Sequence, residues 1–81
     1  MNTVFLLMAQ HGKAVLPLAE VCKEYFALSS AVAERYAKAG RLPVPAYKAG
    51  ASAKAPWLVN ITDLAAFLDE QRNKALSDLV A

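Results

Sequence analysis

The chain has few of the residues on which most enzymes depend. Among its 81 residues are one cysteine, Cys22, and one histidine, His11. A lone cysteine excludes an internal disulfide, and these two residues do not have the spacing of a metal site. The three glycines are far apart in the chain, which excludes a glycine-rich loop that cradles phosphate. We therefore expect no enzyme activity, no metal and no other cofactor.

Long hydrophobic runs are missing as well. No stretch approaches the ~20 apolar residues that cross a bilayer. The apolar run near the start, residues 4–9, has no basic residue before it, as a secretory signal would have. A single cysteine also suits a reducing compartment. The sequence therefore predicts a soluble cytoplasmic protein with no membrane contact.

Apolar residues are nevertheless abundant, at 57% of the chain. With 81 residues there is room for one domain, spanning residues 1–81, and one core. So many apolar side chains in a small domain favour self-association, because some of them would otherwise be exposed in a patch. We expect a homodimer, and the first helix is either part of the core or half of the dimer interface.

Acidic residues are absent from the middle of the chain. Between Arg35 and Asn60 there are five basic residues and no Asp or Glu, whereas residues 1–34 and 61–81 are both net acidic. The net charge of +2 therefore hides a strongly basic central segment. Such asymmetry is typical of nucleic-acid binding. The alternative is that Arg and Lys on an alanine-rich helix serve only solubility.

Capping residues and prolines predict the order of elements. Asn2 or Thr3 caps a first helix that ends near Gln10, with Gly12 after it, and residues 14–16 form a short extended piece, a candidate third strand. Pro17 opens a second helix that reaches about Ala27. Ser29 or Ser30 caps a third helix, with a core face of Val32, Tyr36 and Ala33, that ends at Ala39 before Gly40. A hairpin follows over residues 44–60. Thr62 caps the last helix, whose apolar face is Leu64, Phe67, Leu68, Ala75, Leu76 and Leu79.

Two capped helices followed by a basic hairpin predict a winged helix-turn-helix, mainly α with a small β-hairpin. In this architecture the second of the paired helices enters the major groove of double-stranded DNA. Arg35 is the strongest candidate for a guanine contact, because its guanidinium binds two acceptors at once. The predicted DNA-binding residues are Ser29, Ser30, Glu34, Arg35, Lys38, Arg41, Tyr47, Lys48 and Lys54.

Several single residues allow two interpretations. Trp57 either anchors the hairpin on the core, which we favour, or stacks on a base. Tyr47 either packs or donates to a phosphate. His11 suits a capping or surface position better than catalysis, and Cys22 lies on the apolar stripe of the second helix, which predicts a core position.

Four sequence blocks along this chain resemble those of a known family. MNTVFLLMAQ, the GRLPVP block at 40–45, the PWLV block at 56–59 and the Asp63-Leu64-Ala65 that opens the last helix resemble the pyocin activator protein family (PrtN). The resemblance spans Met1 to about Arg72. More loosely, the order of elements is similar to excisionase-like and MerR-like winged helices.

The resemblance implies a bacterial activator that binds DNA and switches on bacteriocin (pyocin-like) or prophage genes. Activation implies a surface that contacts RNA polymerase, for which the acidic last helix is the candidate, and a nucleoid location when the protein is DNA-bound. One alternative is an excisionase-like architectural factor that bends DNA. Another is a phage-derived inhibitor that binds a protein and has no DNA role.

Overall fold

The structure is a computed structural model that describes residues 2–80. Met1 and Ala81, the ends of the predicted domain, lie outside the described residues. The elements are α1 (Thr3–His11), β1 (Val15–Pro17), α2 (Leu18–Tyr25), α3 (Ser30–Lys38), β2 (Tyr47–Lys48), β3 (Trp57–Asn60) and α4 (Ile61–Val80). The chain is therefore mainly helical with a small antiparallel sheet, as the sequence predicts.

The three strands pair in the order β1-β3-β2, so that β3 lies in the centre. Tyr47 of β2 pairs with Leu58, which makes the predicted hairpin. Leu16 of β1 pairs with Val59, so the extended piece near residue 15 is a third strand, as predicted. Pro17 ends this edge strand, where its missing N–H is tolerated. It is also the N-cap of α2 rather than a residue of its first turn.

The core lies between the sheet and the helices. Its buried side chains come from every helix, from β1 and β3, and from the segment between α3 and β2: Leu7, Leu16, Leu18, Val21, Cys22, Ala33, Val44, Val59, Ile61, Leu64 and Ala65. Cys22 is fully buried and its thiol donates to the carbonyl of Ala19 at 3.4 Å. The predicted core position of Cys22 is therefore confirmed.

Helix ends agree with the predicted signals at α1 and differ at α4. The side chain of Asn2 accepts from the N–H of Phe5 at 3.3 Å, and Gly12, with a φ of 69°, donates to the carbonyl of Met8. By contrast, α4 begins at Ile61, directly after β3, so Thr62 lies inside the first turn and the prediction that it caps the helix is wrong. The N–H of Ile61 donates instead to the carbonyl of Ala14 at 2.9 Å.

Only the first half of α4 packs on the protein. Leu64 is buried, and Phe67 and Leu68 pack against the core. From residue 69 to residue 80 every position is exposed. The predicted apolar face therefore continues beyond the core without a partner within residues 2–80. No helix in this part of the chain is long and apolar enough to cross a membrane.

Candidate nucleic-acid interface

Helices α2 and α3 are joined by a tight turn at residues 26–29. The N–H of Leu28 donates to the carbonyl of Cys22 at 3.0 Å, and Ala27 has a φ of 56°, in the left-handed region. This left-handed residue ends α2 at Tyr25, two residues earlier than the sequence predicts. Ser29 then caps α3, because its hydroxyl accepts from the N–H of Val32 at 3.3 Å. This turn thus joins α2 and α3 into a short helix pair.

An aromatic contact fixes this turn to α4. The rings of Phe26 and Phe67 meet edge to face, with centroids 5.1 Å apart and an interplanar angle of 90°. Such a pair adds about 0.5–1.5 kcal/mol beyond the burial of its surface. The orientation of the helix pair is therefore coupled to α4.

The inward face of α3 differs from the prediction. Ala33 is fully buried and Ala37 packs against the core, whereas Tyr36, predicted to be a core residue, is exposed. Ala33 and Ala37 are small side chains that let α3 pack closely on α2, and the larger Tyr36 side chain lies at the edge of this contact. Val32 is half-buried.

The outward face of α3 carries the predicted recognition residues. Ser30, Glu34, Arg35 and Lys38 are all exposed. Residues three and four apart share one side of a helix, so Glu34, Arg35 and Lys38 lie together on the side turned away from Ala33. This surface is polar and carries two cations and one carboxylate.

Arg41 is held beside the end of α3. Gly40 adopts a φ of 67°, which reverses the chain, and the N–H of Arg41 then donates to the carbonyl of Tyr36 at 2.8 Å. The guanidinium carbon of Arg41 lies 5.8 Å from the centre of the Tyr36 ring. Helical periodicity assigns Tyr36 to the core and therefore does not indicate its place on this surface. The five-residue spacing from Tyr36 to Arg41 across a glycine is the signal that could have shown it.

The loop between β2 and β3 is fixed by its own hydrogen bonds. The ammonium of Lys48 donates to the carbonyls of Ser52 and Ala53 at 3.5 and 3.3 Å, and lies 5.9 Å from the centre of the Trp57 ring. The hydroxyl of Ser52 accepts from the N–H of Lys54 at 3.2 Å. Lys48 therefore folds over the loop, whereas Lys54 is exposed at its tip.

The aromatic residues of the hairpin face different surroundings. Trp57 is partly buried against the core, which confirms its predicted anchoring role. Tyr47 is exposed, and its hydroxyl donates to the side-chain oxygen of Asn60. That hydrogen bond engages the proton that a phosphate contact would need.

The start of α3 and the base of the hairpin lie side by side. A small cleft of about 90 Å³ is lined by Ser30 and Glu34 of α3 and by Pro56 and Trp57 of the hairpin, together with the start of α2. Ligand pockets usually have volumes of about 300–1,000 Å³, so this cleft is too small for a ligand site. It does show that the outward face of α3 is continuous with the base of the hairpin.

No acidic side chain neutralises the basic segment in the part of the chain that the structure describes. The one ion pair between side chains there joins Lys74 and Glu70 of α4, at 3.8 Å. Among residues 2–80, no carboxylate lies within salt-bridge distance of Arg35, Lys38 or Arg41. Their charges are thus available to a polyanion, and their attraction to it would weaken with salt.

The other titratable groups described in residues 2–80 form no comparable charged surface. His11 shares a hydrogen bond of 2.9 Å with the hydroxyl of Tyr25. Burial raises the pKa of Tyr25 above its usual value of 10.0, and the carboxylates of Glu24 and Glu20 raise it further. Among residues 2–80, no three His, Cys, Asp or Glu side chains come close enough to hold a metal ion.

A comparison with known protein families shows to which family this chain belongs. The family of the pyocin activator protein PrtN matches residues 3–75. The chain belongs to the PrtN family. This membership indicates a transcription activator, which is a regulatory rather than a catalytic role. Among curated proteins and among solved structures, no match reaches significance.

The PrtN match covers most of the described residues. It begins with the first residue of α1 and ends within α4, so it includes the α2–α3 helix pair, Arg41 and the hairpin. It leaves residues 76–80, the end of α4, outside the matched region.

Proposed function

We propose that this chain is a sequence-specific activator that binds the double-stranded DNA of bacteriocin (pyocin-like) or prophage promoters. Residues 1–81 form a single winged helix-turn-helix domain, with residues 29–39 in the major groove and the hairpin 44–60 as the wing. The observation that carries the proposal is the exposed polar face of α3. Its cations form no ion pair with an acidic side chain within the described residues 2–80, and it adjoins the hairpin. Membership in the PrtN family supports activation.

The outward face of α3 supplies base recognition. Arg35 donates two hydrogen bonds to the O6 and N7 atoms of a guanine, and Glu34 accepts from the N4 amino group of a cytosine. Lys38 contacts a phosphate. Ser29, Ser30 and the N–H groups at the start of α3 hold another phosphate, because a helix N-terminus favours an anion.

The flanking residues fix the orientation of α3 on the duplex. Arg41, supported by the Tyr36 ring, binds the backbone beside the end of α3. Lys54 at the tip of the wing reaches the adjacent backbone or minor groove. Lys48 keeps the wing loop folded and adds positive charge, and the Tyr47 hydroxyl can still accept a hydrogen bond at the edge of the interface.

The proposed activator acts in the cytoplasm, on the nucleoid, and needs two kinds of partner besides DNA. A second copy of the chain gives a dimer suited to a two-fold operator. RNA polymerase is the other, and the exposed acidic side chains of α4, Asp69, Glu70 and Asp78, are the candidate contact.

Fluorescence anisotropy on duplex DNA at two salt concentrations tests this function. A pool of random duplexes shows the salt dependence, and selection from the bound fraction gives the preferred site. On that site Arg35→Ala should cost about 1–3 kcal/mol, roughly 5- to 150-fold in affinity, and relax the preference at one base pair. Lys38→Ala should weaken all sequences alike and reduce the salt slope by about 1. The matched control is Lys13→Ala, which removes an exposed cation between α1 and β1.

The outcomes separate the competing functions. Failure to bind any duplex at either salt concentration would reject DNA binding and favour a protein-binding inhibitor. Phased direct repeats with a strong measured bend and no effect on transcription would favour an architectural factor. Unchanged affinity in the Arg35→Ala and Lys38→Ala double variant would show that α3 is not the recognition helix.

A further inference from the structure

The outward face of α1 is apolar and uncovered. Phe5, Leu6 and Met8 have 70, 47 and 43% of their surface exposed, while Leu7 on the opposite side is buried. Apart from His11 at its end, α1 has no charged or titratable side chain. A helix that is apolar on all sides normally lies inside a protein, so α1 lacks a covering element in the isolated chain.

The end of α4 is a second uncovered apolar surface. The hydroxyl of Thr3 donates to the carboxylate of Asp69 at 2.6 Å, so the start of α1 lies beside the middle of α4. Residues 73–80, here called the α4 overhang, therefore extend past α1. Leu76, Leu79 and Val80 are 42, 83 and 85% exposed.

The α4 overhang is amphipathic. At 100° per residue, Ala75, Leu76, Leu79 and Val80 fall on one side of the helix, and Lys74 and Asp78 on the other. The eight residues are about 12 Å long, close to the ~13 Å of the nine-residue α1. The apolar side of the overhang thus matches the outward face of α1 in length and in chemistry.

We propose that a second copy of this chain covers both surfaces: the α4 overhang of each protomer packs on the outward face of the partner's α1. A two-fold axis makes the exchange reciprocal and closes the assembly, so that no apolar face is left over. The exposed parts of the six large apolar side chains of α1 and the overhang amount to roughly 600 Å² per protomer. Flanking atoms bring this near the ~800 Å² that each partner buries in a standard interface. The same area would be an unusually large exposed patch on a monomer.

This dimer does not rest on the proposed DNA function. The overhang is the end of α4, and α1 packs on α4, whereas α3 packs on α2. The outward face of α3 therefore stays open in the assembly. The interface can therefore be tested without DNA, and failure of this arrangement would leave the proposed contacts between α3 and DNA standing.

Cysteine cross-linking tests which surfaces meet. Phe5→Cys and Leu79→Cys are made separately and oxidised with diamide, alone and after mixing to allow subunit exchange. The mixture should give a covalent dimer on a non-reducing gel, and each variant alone should give little. The wild type is the control, because its one cysteine, Cys22, is buried. Efficient cross-linking of Phe5→Cys alone would show that the α1 helices of the two protomers meet. Efficient cross-linking of Leu79→Cys alone would show that the two overhangs meet. Either result overturns the proposal.

Light scattering coupled to gel filtration gives an independent measurement on the full chain. The wild type should be a dimer at micromolar concentration. Phe5→Glu and Leu79→Glu should each raise the dimer dissociation constant by about 100-fold or more, because each buries a carboxylate in an apolar contact. Ala51→Glu, in the exposed wing loop, should remain a dimer. Circular dichroism shows whether each variant is folded. A monomeric wild type, or dissociation by only one of the two substitutions, would refute the reciprocal arrangement.

Discussion

The left-handed residue in the turn between α2 and α3 gives the sharpest stability prediction. Ala27 has a φ of 56°, and for an L-residue this conformation costs about 1–2 kcal/mol. Ala27→Gly removes that strain but adds about 0.5–1 kcal/mol of backbone entropy to the unfolded chain. The Ala27 side chain is exposed, so no buried methyl is lost. We expect a net gain of about 0.5–1 kcal/mol in the free energy of unfolding.

Thermal and urea unfolding followed by circular dichroism measure this gain. For a domain of this size it corresponds to an increase in Tm of roughly 2–8 °C. Gly40→Ala is the matched reverse variant, since Gly40 has a φ of 67° and a Cβ there would meet nothing within 4 Å. It should lose about 0.5–1 kcal/mol, because the backbone strain that alanine adds exceeds the entropy that it removes from the unfolded chain. A less stable Ala27→Gly protein beside a destabilised Gly40→Ala protein would refute the strain argument for Ala27.

Two further predictions concern α2 and its neighbours. The raised pKa of Tyr25 means that the folded chain holds the phenol proton more tightly than the unfolded chain does. This difference stabilises the fold fully below pH 10, and the stabilisation is lost as the pH rises through the pKa of the folded chain. Tyr25→Phe should therefore show a smaller loss of stability than the wild type between about pH 9 and pH 11, in urea titrations at each pH; equal losses would contradict the assignment. Ala33→Leu should destabilise the chain by about 1–3 kcal/mol or more, because the larger side chain forces α3 away from α2. Ala31→Leu on the exposed side of α3 is its control, and an equal effect of the two substitutions would show that close helix packing at Ala33 is unimportant.

Features with a local cause could be predicted from the sequence. Ser29 and Gly40 bound α3 because capping and a left-handed reversal depend on one or two residues. The hairpin was predictable because prolines at 43 and 45 exclude a helix and a strand-forming PWLV block follows. The basic face of α3 followed from helical periodicity.

The remaining features depend on packing between distant segments. Periodicity assigns Tyr36 to the core because it is large and apolar, yet the close approach of α2 and α3 is set by Ala33. Thr62 looks like a cap, but the first N–H of α4 is satisfied by Ala14 of another segment. Nothing in the neighbouring residues signals the left-handed Ala27.

The pairing of β1 with β3 has a consequence for how this chain folds. Val15 and Asn60 are opposite one another, although 45 positions separate them in sequence. Both α2 and α3 therefore lie within a single closed loop, and closing it costs entropy before the sheet contributes any stability. We expect folding to be slower than for a helical bundle of equal length. Protein fragments that end before residue 57 lack β3, and they should leave α2 and α3 only transiently formed.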